Sequence, residues 1–145
     1  MSVQQPVFEL ALPLADTIRA CAARVYPEEC CGLIEGVCTE LGWRALAIHE
    51  TPNVAADRAR RFEIDPAAQF RLLRALRETP RDIVGCFHSH PGGAADISPA
   101  DLEGAGEHGF VWVVAGGDPQ IGFRLAAHMF DAVRARFAPA ALRTV

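Results

Sequence analysis

Two histidines, a serine and an aspartate stand close enough in this sequence to do chemistry together: His88, His90, Ser98 and Asp101. The histidines close an apolar run, Ile83-Val84-Gly85-Cys86-Phe87, that reads as a buried strand. Side chains two apart on a strand share a side, so both imidazoles can face one point. Neutral imidazoles at roughly 2.0–2.1 Å suit a zinc ion. Pro91 lacks an N–H and turns the chain out of the ladder. Further on, Ser98-Pro99 fits a helix start, with serine as N-cap and proline at the first helical position. Asp101 then lies in the first turn, where the helix dipole favours the carboxylate, the form that binds metal. The glycine-containing loop from Pro91 to Ile97 lets that carboxylate return to the histidine pair. Two histidines and one aspartate leave a fourth tetrahedral position for water, the layout of a catalytic zinc rather than a closed structural one. The Ser98 hydroxyl can cap the helix or face a substrate, and the sequence leaves both uses open. Each piece alone has an ordinary reading, since His-x-His is usually decoration and Ser-x-x-Asp a cap. Their combination in this order points to metal chemistry.

The elements that must position these residues are legible as a mixed pattern. Leu14 to Val25 is alanine-rich with helical spacing, and Tyr26-Pro27 ends it. Cys31 to Ile34 and Trp43 to His49 read as strands, Asn53 to Arg60 as a loop, and Phe62 to Asp65 as a short strand. Ala67 to Leu76 reads as a helix with Phe70, Leu73 and Leu76 toward one side. Asp82 to His90 is the histidine strand, and a helix runs from Ser98 to about Glu107. Phe110 to Ala115 is a strand, Gly116 to Pro119 a turn, Gln120 to Ala127 its hairpin partner, and Asp131 to Phe137 a last strand. Without regular alternation of strand and helix, this predicts an α+β fold: a curved mixed sheet flanked by helices.

The chain has 145 residues, which suits one domain over 1–145. Five cysteines, an odd number with two adjacent, do not form a disulfide framework and fit a cytoplasmic setting. Cys30, Cys31 and Cys86 read as small buried residues. His49, His108 and His128 have no partner at ligand spacing and read as structural. The net charge of −4 argues against nucleic-acid binding, and Arg58, Arg60 and Arg61 read as a solvated loop. No apolar run is long enough to span a membrane, and Met1 to Pro6 shows no secretory pattern.

His88-Ser89-His90-Pro91, followed by Ser98 and Asp101, resembles the JAMM motif of the MPN-plus metalloproteases, with every fixed position filled. Upstream, Pro27-Glu28-Glu29-Cys30-Cys31-Gly32-Leu33 resembles the family's early glutamate segment. Asn53 and Phe62-Glu63-Ile64-Asp65-Pro66 also look like prokaryotic, JAB-type members. The resemblance covers roughly residues 10 to 130. It implies an MPN or cytidine-deaminase-like core and a zinc held by His88, His90 and Asp101, with no organic cofactor. It further implies Glu29 as general base and acid, and Ser98 as donor to the oxyanion. Glu28 remains the rival, one residue away in the alignment. The implied substrate is a ubiquitin-like or sulfur-carrier protein ending in Gly-Gly, its tail adding to an edge near Trp43–Asn53 or the Asn53–Arg61 loop. The implied activity is deubiquitinase-like, without the long insertion eukaryotic members carry after the motif helix. A RadC-like DNA-repair protein, and a hydrolase of an amino-acid adduct on a sulfur carrier, are the alternatives. A cysteine protease built on Cys30 or Cys31 is a further one.

Overall fold

The computed structural model describes residues 5–106 and 109–145. Met1 to Gln4 of the segment read for a secretory signal lie outside the described residues, as do Glu107 and His108. Seven strands and three helices follow in the order β1 (Val7–Leu10), α1 (Leu12–Val25), β2 (Cys31–Cys38), β3 (Gly42–Thr51), α2 (Pro66–Leu76), β4 (Asp82–Pro91), α3 (Pro99–Gly104), β5 (Val111–Asp118), β6 (Gly122–Asp131) and β7 (Arg136–Thr144).

The sheet is mixed, as expected, but it closes. Strand order is β1-β3-β2-β4-β5-β6-β7, and β1 pairs in parallel with both β3 and β7 to complete a barrel. The expected curved mixed sheet is present, and it goes further by closing into a seven-stranded barrel. The closing strand is Val7-Phe8-Glu9-Leu10, which the sequence reading left unassigned. Phe8 and Leu10 point inward with no exposure. Gly42 permits the tight β1–β3 approach, because a Cβ there would stand 2.1 Å from the Val7 carbonyl oxygen.

α1 buries Ala15, Ile18, Cys21 and Ala22, a helical stripe, and touches β3, β4, β5 and β6. Those residues join Ile34, Phe87, Val113 and Leu125 in the main core. The opposite face of the same strands carries Leu33, Cys86, His88 and Trp112, which alternation sends the other way.

Several elements differ from expectation. α3 stops at Gly104 rather than near Glu107, which lies outside the described residues. Phe62 to Asp65 is not a strand: only Ile64 makes a bridge, to Asn53, because the Asn53 side chain takes the backbone groups around Phe62. In α2 the inward residues are Ala68, Leu72 and Leu76, four apart, whereas Phe70 and Leu73 are exposed. β5 continues through Gly116 to Asp118, and the turn sits at Pro119–Ile121, where Asp118 accepts from the Gln120 and Ile121 N–H groups. β6 runs on to Asp131, whose carboxylate accepts from Val133 and Arg134 in the next turn, so the last strand starts at Arg136. Pro91 ends β4 rather than following it, and Gly92 (φ 72°) makes the turn. No helix among the described residues is long and apolar enough to cross a membrane.

Candidate active site

β4 carries both histidines. It is paired along its length with β2 and β5, which sets His88 opposite Cys31 and Val114, and His90 opposite Gly116. His88 is fully buried. Phe62 stacks on its imidazole at 4.2 Å between centroids and 16° between planes, and Trp112 meets it edge-on at 5.5 Å. Ser89, between the histidines, faces the other way and is also fully buried.

After Gly92 the loop returns over β5. Gly116 allows it, since a Cβ there would stand 2.4 Å from the Ala94 carbonyl carbon. Ser98 then starts α3. The Asp101 N–H donates to Ser98 Oγ at 3.1 Å, and the Ser98 N–H donates to Asp101 Oδ2 at 3.0 Å, a capping box. The box holds the carboxylate against the histidine pair. Asp101 Oδ2 lies 3.0 Å from Nε2 of both His88 and His90, and the two Nε2 atoms are 3.1 Å apart. A hydroxyl has one hydrogen and two lone pairs. Ser98 can therefore accept from Asp101 and still donate elsewhere, so its two uses do not compete.

Glu29 precedes β2 and is buried. One of its carboxylate oxygens and a ring nitrogen from each of His88 and His90 all lie within 4.8 Å of one another, a group that could hold a metal ion. Asp101 is the closer third partner by its hydrogen-bond-length contacts. Glu28 turns outward and pairs with Arg58 at 3.1 Å. Geometry thus brings Glu29, and not its neighbour, to the histidines.

The electrostatics favour positive charge between these groups. Burial pushes the Glu29 carboxyl up to about 7, and Asp101 and Asp57 nearby push the same way. Burial also lowers His88, which keeps that ring neutral. For His90, burial is outweighed by its contacts with Asp101, and the pKa is raised. Asp101 would be raised by burial, but the two imidazoles and the Ser98 N–H hold it well below the carboxylate range. His90 Nδ1 is 3.1 Å from the Ala94 carbonyl, a contact only an N–H makes, so Nε2 of the neutral ring bears the lone pair. That lone pair faces a carboxylate oxygen and another ring nitrogen, an arrangement a cation relieves. Tetrahedral zinc with bonds of about 2.0–2.1 Å has ligand–ligand edges of roughly 3.3–3.4 Å. The observed triangle of 3.0, 3.0 and 3.1 Å is close to that. The donor set fits a divalent ion of this kind.

A cavity of about 710 Å³ opens on the flank of Asp101, walled by Leu33, Phe62, Ile64, Phe110 and Trp112. Arg61 and Glu103 pair across its rim at 3.4 Å. With Arg58 on Glu28 as well, two of the three loop arginines are matched by carboxylates, which weakens the cluster as a nucleic-acid surface.

The match to the family described as prokaryotic homologs of the JAB domain runs over residues 11–131 and takes in every residue of this site. The chain belongs to the prokaryotic JAB family. The JAMM/MPN-type resemblance read in its motifs is thus borne out. A curated relative, the desampylase of Haloferax volcanii, is 33% identical over 102 residues, 70% of this chain and 69% of the relative. The solution structure of protein DSY2949 from Desulfitobacterium hafniense matches with a TM-score of 0.82 at 18% identity, covering 96% of this chain and 92% of that one, which shows a shared fold. A protein from Salinibacter ruber, also solved in solution, matches with a TM-score of 0.71 and 30% identity over 97% of this chain and 91% of its own.

Other sequence candidates resolve plainly within this JAB barrel. Cys30, Cys31 and Cys86 are buried, as read. Burial pushes the Cys30 thiol up to about 12 and Cys31 to about 11, so neither supplies a thiolate nucleophile. His49 bonds Glu35 at 2.8 Å and His128 the Ala95 carbonyl at 2.9 Å. Two residues that the motif reading quoted without giving them a role also matter. Ser89 holds the Cys30 backbone from both sides, accepting from its N–H at 2.8 Å and donating its own N–H to the carbonyl at 3.2 Å. Phe62 is the ring on His88. Both stand in stretches quoted for the family resemblance, but the strand and loop pattern around them gives neither a role.

Proposed function

We propose that this JAB-family chain is a zinc metallopeptidase or isopeptidase that cuts the bond after the C-terminal Gly-Gly of a ubiquitin-like or sulfur-carrier protein. The observation that carries the reading is the convergence of His88, His90 and Asp101 at 3.0–3.1 Å with a buried Glu29 beside them. In this reading those three residues hold the zinc. Bound there, zinc supplies Lewis acidity and lowers the pKa of a water to about 7.

Glu29 lies beside the histidine pair, placed to take a proton and return it to the leaving amine. Its burial excludes competing water from the carboxylate. Ser98, fixed by α3, donates its hydroxyl hydrogen to the developing oxyanion. His90 is oriented by Ala94, and His88 by Phe62 and Trp112. Glycines at the end of the substrate suit this site, because no side chain must pass the crowded ring pair. The substrate class is supported by the desampylase relative, whose name denotes a de-conjugating activity. The open side of β3 beyond Arg44, where its pairing with β1 stops, is the edge a tail can join.

The test is direct. The purified chain should carry about one zinc, and Asp101→Ala should lose it. A Gly-Gly-terminated carrier fused to a reporter should be cut, with chelator abolishing the cut. Glu29→Gln should retain zinc and lose turnover, and Glu28→Gln should keep both. A fully active Glu29→Gln protein, or one whose wild type binds no zinc, sinks the proposal.

A further inference from the structure

Glu29 is held in an unusual way. Its buried Oε1 has no hydrogen-bond partner among the described residues. Its aim therefore depends on where the backbone places it. The Glu29 N–H donates to the Arg58 carbonyl at 2.7 Å, and the next residue is clamped by Ser89. The Glu29 carbonyl accepts from a single side chain, Asn53, at 3.0 Å.

That amide makes three more bonds. Asn53 Nδ2 also donates to the Arg61 carbonyl at 3.0 Å, and Oδ1 accepts from the N–H groups of Ala55 and Glu63, both at 3.0 Å. Two hydrogens meet two carbonyls and one oxygen meets two N–H groups, which fixes the amide's orientation and uses its whole capacity. Arg61 and Glu63 flank Phe62, the ring stacked on His88. One side chain thus joins the backbone of the candidate base to the segment that seats the histidine's stacking partner. Aspartate has the shape but not the donors, and would face two carbonyl oxygens with a third oxygen.

We propose that Asn53 is a positioning residue that aims Glu29 at the histidine pair and seats Phe62 on His88. The proposal rests on the role given to Glu29 above. It goes beyond that role by assigning a residue that touches neither metal nor substrate.

The test uses the full chain loaded with zinc, in a Trp43→Phe background so that emission reports Trp112, which meets Phe62 at 5.4 Å. Asn53→Asp keeps the two acceptor bonds and loses the two donor bonds. It should shift Trp112 emission and lower kcat on the Gly-Gly fusion by about 10–100-fold, the usual loss when a supporting partner is removed, with KM within about twofold. Amide exchange at Ala55 and Glu63 should stay as slow as in the parent. Asn53→Ala loses all four bonds, and those two amides should exchange at least about tenfold faster. If Asn53→Ala does not fold, the aspartate variant decides alone. Should the parent leave the fusion uncut, the substrate reading fails, and emission with amide exchange still decides the role of Asn53. An Asn53→Asp protein with parental emission, or one with parental kcat and only a lower unfolding midpoint, overturns the proposal.

Discussion

In the proposed role of Glu29, function is set against stability at the level of one residue. Its carboxyl is buried and lifted to about 7, above an ordinary glutamate near 4.3. A folded pKa raised above the unfolded one means the folded state binds the proton more tightly. Stability from this group is then fully present below about pH 4 and is lost as pH rises through 7. Glu29→Gln is neutral throughout and escapes that loss. In chelator, the metal-free variant should match wild type in urea unfolding at pH 4 and exceed it by roughly 3 kcal/mol at pH 8. A constant difference across that range would show that the carboxyl does not titrate as its burial implies. Asp101 is the opposite case, a carboxylate kept ionised by the imidazoles and the Ser98 N–H around it.

At the scale of the element, α3 is only six residues long, yet it orients two functional groups. Its capping box spends both backbone N–H groups on Ser98 and Asp101. Glycine at an N-cap costs only a few tenths of a kcal/mol relative to serine. Ser98→Gly should therefore leave the melting temperature nearly unchanged while lowering kcat by about 10²–10³. An equal loss of both would assign Ser98 to capping alone. The clamp between β2 and β4 is a second element-level device. Ser89 bonds the Cys30 N–H inside a fully buried position. Ser89→Ala should cost about 1–3 kcal/mol in urea unfolding, the penalty of stranding a buried donor.

For the molecule as a whole, closure of the barrel depends on its shortest strand. β1 has four residues and joins β3 to β7. Phe8 is wholly buried in the main core, so Phe8→Ala should cost about 3–5 kcal/mol by urea unfolding. The loss should appear as one cooperative transition, because the same core includes α1, β4 and β5. The histidine pair sits on the opposite face of β4. A Phe8→Ala protein that remains folded should therefore bind zinc as wild type does, checked by elemental analysis.

What the sequence by itself determined is the candidate residues and the local elements that carry them, in their order along the chain. His88 and His90 had to share a face because strand alternation has a period of two, and Ser98-Pro99 had to open a helix with Asp101 in its first turn. These are local rules, and the structure keeps them. The strand type of β4 and the helix type of α1 were legible for the same reason. Tertiary structure decided the rest. It buried Glu29 near the histidines and paired Glu28 with Arg58 at the surface. It turned α2 so that Leu72 is partly buried and Phe70 is exposed. It closed the sheet through Val7–Leu10, a segment too short to announce itself. It also brought Asn53, from a segment that local pattern reads as a loop, and Phe62, from one that it reads as a strand, to the site. Contacts between residues distant in sequence leave no period to read, and they form only once the barrel has fixed which faces meet.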